Sequence, residues 1–174
     1  YDMGYRRFGY AGQVADSQQN IERRYAGFLE GLKAKDISLE DTLIVMDESM
    51  NYTDKVVGAY RYFCDYFAQA DRSKIPQVIL TANDLIAVGV MKAALHIGLH
   101  VPDDLAVVGF DNIALSMYCT PSITTVVQRP YQLGDSCFNL LMKKMAGEAC
   151  DNIMLNQQIA VRNSAPISEM SEKE

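Results

Sequence analysis

The sequence predicts an α/β protein built on a parallel sheet flanked by helices. The segments "RRFGYAG", "TLIVMDE", "QVILTAND" and "DLAVVGFDN" are each apolar almost throughout, and stretches with helical spacing of their apolar residues separate them. Strands without a polar face are those covered on both sides, as in repeated βαβ units. The composition allows such a core: 174 residues, 49% hydrophobic and 22% charged, suit one globular domain, or one and part of another.

From the N-terminus, "RRFGYAG" is a short strand closing on Gly12, and the helix after it carries Ile21, Tyr25, Phe28, Leu29 and Leu32 on one stripe. "TLIVMDE" is the second strand, succeeded by a helix with Val56, Tyr60, Phe63 and Phe67 on one face. Pro76 breaks the chain before the third strand, "QVILTAND". The next helix shows Ile86, Val90, Ala93 and Ile97, with Gly98 as its stop. "DLAVVGFDN" is the fourth strand and "SITTVVQ" the fifth. Pro130 then opens a helix at its favoured first position, striped by Leu133, Cys137, Leu140 and Leu141 up to Gly147. The closing "IMLNQQIAV" alternates, so it reads as a strand with one wet face.

Charge and cysteine usage exclude several functions. A net charge of −6 leaves no basic face to neutralise a run of phosphates, so direct nucleic-acid binding is a poor expectation. Cys64, Cys119, Cys137 and Cys150 are scattered with no CxxC pair, as small core residues in a reducing cytosol would be. His96 and His100 have a metal-binding helical spacing, but Gly98 between them and Pro102 beyond end the helix, so no metal site is expected. No apolar run spans a membrane, and "YDMGYRRFGY" lacks the apolar core of a signal peptide. The expectation is a soluble cytoplasmic protein without a cofactor.

Three strands end on polar residues: Asp47 and Glu48, Asn83 and Asp84, Asp111 and Asn112. In open parallel sheets, ligands bind outside the carboxyl ends of the strands. Asn83 or Asp84 can equally cap the next helix. Asp111 is harder to read as a cap, because "NIALS" after it makes a poor regular helix.

"GYRRFGYAG", "RRYAGFLEGL", "ILTANDLIAVGVMKAALHIGLHVPDDLAVVGFDN" and "PSITTVVQRPYQLG" occur in one order and spacing. In this the chain resembles the effector-binding cores of the lactose- and galactose-repressor family of bacterial transcription regulators, from about Tyr5 to Gly147. The resemblance implies a two-lobed fold of the type I periplasmic-binding-protein kind, with an effector between the lobes and a helix-turn-helix headpiece outside this chain. Residues 5–125 then correspond to the C-terminal lobe, 126–165 to a helix and strand returning to an incomplete N-terminal lobe, and 166–174 to a disordered tail. The motifs place effector contacts on Arg24, Asn83, Asp111 and Gln128. Asp84 is then left to cap. Tyr52 is the nearest aromatic to the family's stacking position, one residue off its spacing to Gly58.

The residue types suit a sugar independently of the family. A carboxylate accepts, a guanidinium donates and an amide does both, which together match paired hydroxyls. Arg24 also reads as a surface charge beside Arg23, and Gln128 as a strand-end amide bonded to backbone. An enzyme is not expected: no Gly-x-Ser-x-Gly elbow, no Cys with an assignable His and no phosphate loop occurs, leaving Asp84 and Asp111 as a formal acid pair. The alternative of the same fold is a sugar-binding protein of a transport system. The expected partners are a small effector, operator DNA through the headpiece, and a second copy in a homodimer. Tyr131 and Lys143 fit the branch that binds a serine-phosphorylated phosphocarrier protein. Gln132 and Asn139 stand where that branch carries an acid and an arginine, which disfavours this partner.

Overall fold

The computed structural model describes residues 1–13, 19–51 and 54–166, the side chains of 19–22 excepted. Tyr52 and nearly all of the expected tail lie outside these residues.

The chain alternates as its apolar periods require. The strands β1 (Phe8–Gly12), β2 (Leu43–Met46), β3 (Val78–Thr81), β4 (Ala106–Asp111) and β5 (Thr124–Val127) are joined by α1 (Gln19–Ala34), α2 (Lys55–Gln69), α3 (Asp84–His96) and the short α4 (Leu115–Tyr118). They form one sheet with β6 (Gln158–Ala160), in the order β2-β1-β3-β4-β5-β6. The first five strands are parallel neighbours, and β6 pairs antiparallel with β5. The order reverses between β1 and β3, which opens a crevice at their carboxyl ends.

Most of the core lies on the α2–α3 face of the sheet. Phe63, Ile79, Ile86, Val90, Leu105 and Val107 are fully buried there. α2 and α3 approach closely at Gly89, where an added Cβ would lie 2.6 Å from Ala59 Cβ and from the Val56 carbonyl oxygen. On the other face, α1 lays Tyr25 and Phe28 on Tyr10, with ring centroids 5.2 and 5.4 Å apart.

The end of the chain departs from expectation. α5 (Pro130–Met145) buries no residue, and Tyr131, Leu133, Phe138, Leu141 and Met145 are exposed along it. The strand after it is three residues long instead of nine, and it stays on this sheet: Val127 pairs with Gln158 and Thr125 with Ala160. Residues 162–165 remain docked too. Ser164 donates its backbone N–H to Ser122 and its hydroxyl to Val107, while Thr124 donates to Ala165. β6 and residues 162–165 thus pack on the same sheet as β1–β5, held by buried bonds from Thr124 and Ser164 that alternation of apolar residues does not record.

Candidate functional site

The site is built where β3, β4 and β5 end and α1 begins. Helix α1 starts at the carboxyl edge of the sheet, so Arg24, in its second turn, can reach across that edge. Its Nη1 donates to the Ala82 carbonyl just past β3, and its Nη2 lies 3.1 Å from Asp111 Oδ1. The guanidinium carbon sits 3.9 Å from the centroid of the Phe110 ring, a cation–π contact that fixes its plane. From the end of β5, Gln128 Nε2 donates to the same Asp111 oxygen. Three of the expected residues, Arg24, Asp111 and Gln128, thus meet in one cluster, with Arg24 and Asp111 side chains only 19% and 28% exposed.

Asp111 and Asn112 are held in an unusual backbone. Their φ angles are +112° and +57°, the left-handed region that glycine favours. A non-glycine residue there costs on the order of 1–3 kcal/mol and persists only when its surroundings over-determine it. Arg162 supplies part of that restraint, donating from Nη2 to Asn112 Oδ1 at 2.6 Å and from Nη1 to Ser116 Oγ and the Ile123 carbonyl.

The capping role expected of Asp84 falls to Asn83. Asn83 is the cap of α3: its backbone is extended, and its Oδ1 accepts from the Ile86 N–H at 3.0 Å. Asp84 is already inside the helix and turns under the sheet edge, 1% exposed, where it accepts from Thr125 Oγ1 at 2.6 Å and from the Ile113 N–H at 2.8 Å. Burial raises the Asp84 pKa above the ordinary carboxylate value, against the lowering effect of the Thr125 and Ile113 bonds. The cap uses only the side-chain oxygen of Asn83, not its N–H₂. Asp47, at the end of β2, caps a short turn through Ser49.

Two groups at the same edge escaped sequence reasoning. Gln13, buried just past β1, accepts from Lys55 Nζ at 2.7 Å, and Arg162 returns from beyond β6. Neither belongs to a local pattern, since each partner lies dozens of residues away. Tyr10 points a buried hydroxyl that has no partner among the described residues, and burial pushes its pKa up to about 12. Among those residues no three His, Cys, Asp or Glu side chains gather as a metal site would need. No helix among them is long and apolar enough to cross a membrane.

Chemically the cluster offers an anion, a cation and an amide already bonded to one another. Such a set exchanges its internal bonds for a ligand that both donates and accepts. The chain matches the family described as periplasmic binding protein-like domain over residues 1–164. It is 31% identical over 128 residues to the HTH-type transcriptional repressor PurR of Pectobacterium atrosepticum, covering 74% of this chain and 35% of that protein. This chain therefore spans about a third of the length of that curated relative. The Lac repressor dimer bound to operator and the anti-inducer ONPF has a similar fold, with a TM-score of 0.79 and 24% identity over 95% of this chain and 55% of that one. A LacI family transcriptional regulator from Lactobacillus casei with bound glucose gives 0.75 and 23%, over 94% of this chain and 58% of that one.

Proposed function

The chain belongs to the periplasmic binding protein-like domain family, and from that premise we propose that it is the effector-sensing part of a sugar-responsive bacterial transcription regulator. The observation that carries the reading is the convergence of Arg24, Asp111 and Gln128 at the carboxyl edge of the sheet, beside the point where strand order reverses. An effector with adjacent hydroxyls would accept from Arg24, donate to Asp111 and do both with Gln128, and Asn83 would add its side-chain N–H₂. DNA binding is assigned to a headpiece outside this chain. The glucose bound to the Lactobacillus casei regulator supports a sugar. The match to a transcriptional repressor favours regulation over transport, and a regulator of this kind works in the cytoplasm.

A homodimer is part of the same reading. Beside α3 an apolar groove of about 600 Å³ is lined by Val88, Met91, Leu95, Leu99, Cys119 and Pro121, and a second copy is its proposed occupant. Sedimentation of the full-length protein should give twice the chain mass, and a monomer at micromolar concentration would refute the dimer.

The effector reading is tested by thermal shift of the full-length protein against sugars, sugar phosphates and purines, and then by calorimetry on Asp111→Ala. A charge-assisted bond contributes about 1.5–3 kcal/mol, so the variant should bind the best sugar at least tenfold more weakly. Unchanged affinity would reduce Asp111 to a turn residue. A response to purines alone would replace the sugar.

A further inference from the structure

The left-handed pair Asp111–Asn112 needs more restraint than its own side chains supply, since Asp111 turns outward to Arg24 and Gln128. Besides Arg162, a second restraint lies beneath the site. Asp84 is closed in on α3, and its Oδ1 occupies the space a Cβ on Gly109 would need, only 2.1 Å away. That carboxylate is therefore wedged on the backbone of β4 two residues before Asp111. Its Oδ2 accepts from the Ile113 N–H two residues after Asp111, and its Oδ1 accepts from Thr125 Oγ1, which in turn receives the Asn112 N–H at 3.3 Å. The backbone N–H groups of Asn112 and Ile113 thus lead, through one hydroxyl or directly, to Asp84.

We infer that Asp84 is a positioning residue for effector recognition: it never touches the effector, but fixes the Asp111–Asn112 backbone so that the Asp111 carboxylate faces Arg24 and Gln128. This rests on the reading of that cluster as the effector site. Two features set Asp84 apart from a core residue held for stability alone. A carboxylate is an expensive group to bury, and a pair of apolar side chains would fill the same space at lower cost in desolvation. What a carboxylate provides and an apolar side chain does not is two acceptor atoms fixed on one rigid plane, here facing donors on β5 and on the β4–α4 connection. Helix α3 is itself anchored by the Asn83 cap and by its packing on α2, so the plane of acceptors has a firm base.

The test uses Asp84→Asn, Asp84→Leu and Thr125→Val in the full-length protein, each checked for cooperative unfolding. The first readout needs no ligand. Amide exchange by NMR should accelerate at least tenfold at Asn112 and Ile113 in Asp84→Leu, and less in Asp84→Asn, which keeps one acceptor. Amides of β1 should stay unchanged. The Ile113 amide proton, bonded to a carboxylate, should move upfield in both Asp84 variants. The second readout is calorimetry with glucose and with sucrose, where affinity should fall about tenfold in Asp84→Leu, with Asp84→Asn between it and the unmodified protein. Exchange at Asn112 and Ile113 unaffected by any of the three variants would overturn the inference. Faster exchange with undiminished affinity, while Asp111→Ala abolishes binding, would overturn the link to recognition and leave the effector site standing. If neither sugar binds the unmodified protein, the calorimetry is run with the compound that gives the largest thermal shift, and if no sugar, sugar phosphate or purine binds, the reading of the cluster as an effector site falls and the inference with it. Should Asp84→Leu fail to fold, Asp84→Asn and Thr125→Val decide by the same criteria.

Discussion

An aspartate at φ +112° trades backbone comfort for the direction in which its carboxylate points. Asp111→Ala and Asp111→Gly both lack the carboxylate and differ in how well they tolerate that backbone, so the glycine variant should be the more stable by about 0.5–1 kcal/mol in urea unfolding. Equal stabilities would mean that the strain is relieved elsewhere. Just past the end of β3, the cap belongs to Asn83, so Asn83→Ala should cost about 0.5–2 kcal/mol while Asn83→Asp retains most of it. For Asp84 the sign of the pH dependence comes from the raised pKa of its folded state. The folded chain holds that proton more tightly than the unfolded chain, so this group's contribution is greatest below about pH 4 and declines as pH rises through the folded value. The stability difference between the unmodified protein and Asp84→Asn should therefore fall from low to neutral pH. A difference that rises would show that the Thr125 and Ile113 bonds outweigh burial. Asn83 and Asp84 were legible as a polar pair at a strand end, but not in their division of labour. Which of two neighbours caps depends on where the first helical turn begins, a matter of one residue that composition does not decide.

At the level of elements, the period of apolar residues located all five parallel strands and the four longer helices, because burial on both faces of a sheet leaves continuous apolar runs. It placed β6 but drew it too long, since this is an edge strand of three residues with Ile159 exposed, where hydrogen bonds involving Thr124 and Ser164 also fix the chain. The Arg162 contacts, which are hydrogen bonds as well, were invisible to it. The close approach of α2 and α3 makes a prediction against helix propensity. Alanine is the better helix former, yet Gly89→Ala places a methyl within 2.6 Å of the Val56 carbonyl oxygen, and it should cost about 1–3 kcal/mol by overpacking. A thermal midpoint unchanged by Gly89→Ala would mean that the two helices can separate freely.

For the molecule as a whole, charge and exposed surface set the behaviour. Six net negative charges oppose the polyanion, so this chain alone should show no salt-sensitive binding to duplex DNA in low-salt titration. Tight binding that weakens steeply with salt would contradict that. α5 leaves a stripe of Leu133, Phe138, Leu141 and Met145 uncovered, so the isolated chain should self-associate in sedimentation and Leu141→Glu should reduce it. The route of the chain around α5 has a further consequence. It leaves the sheet at Val127 and comes back at Gln158, and these two residues are direct partners in an antiparallel ladder. Exit and entrance thus stand side by side, at a separation that a hairpin turn of about two to five residues bridges in ordinary proteins. All six strands of the sheet are in place without the excursion, and α5 is an appendage on a two-strand stem. Cutting out residues 129–156 and splicing a short glycine-containing turn behind Gln128 should leave a folded miniature of the protein with its cluster of Arg24, Asp111 and Gln128 intact.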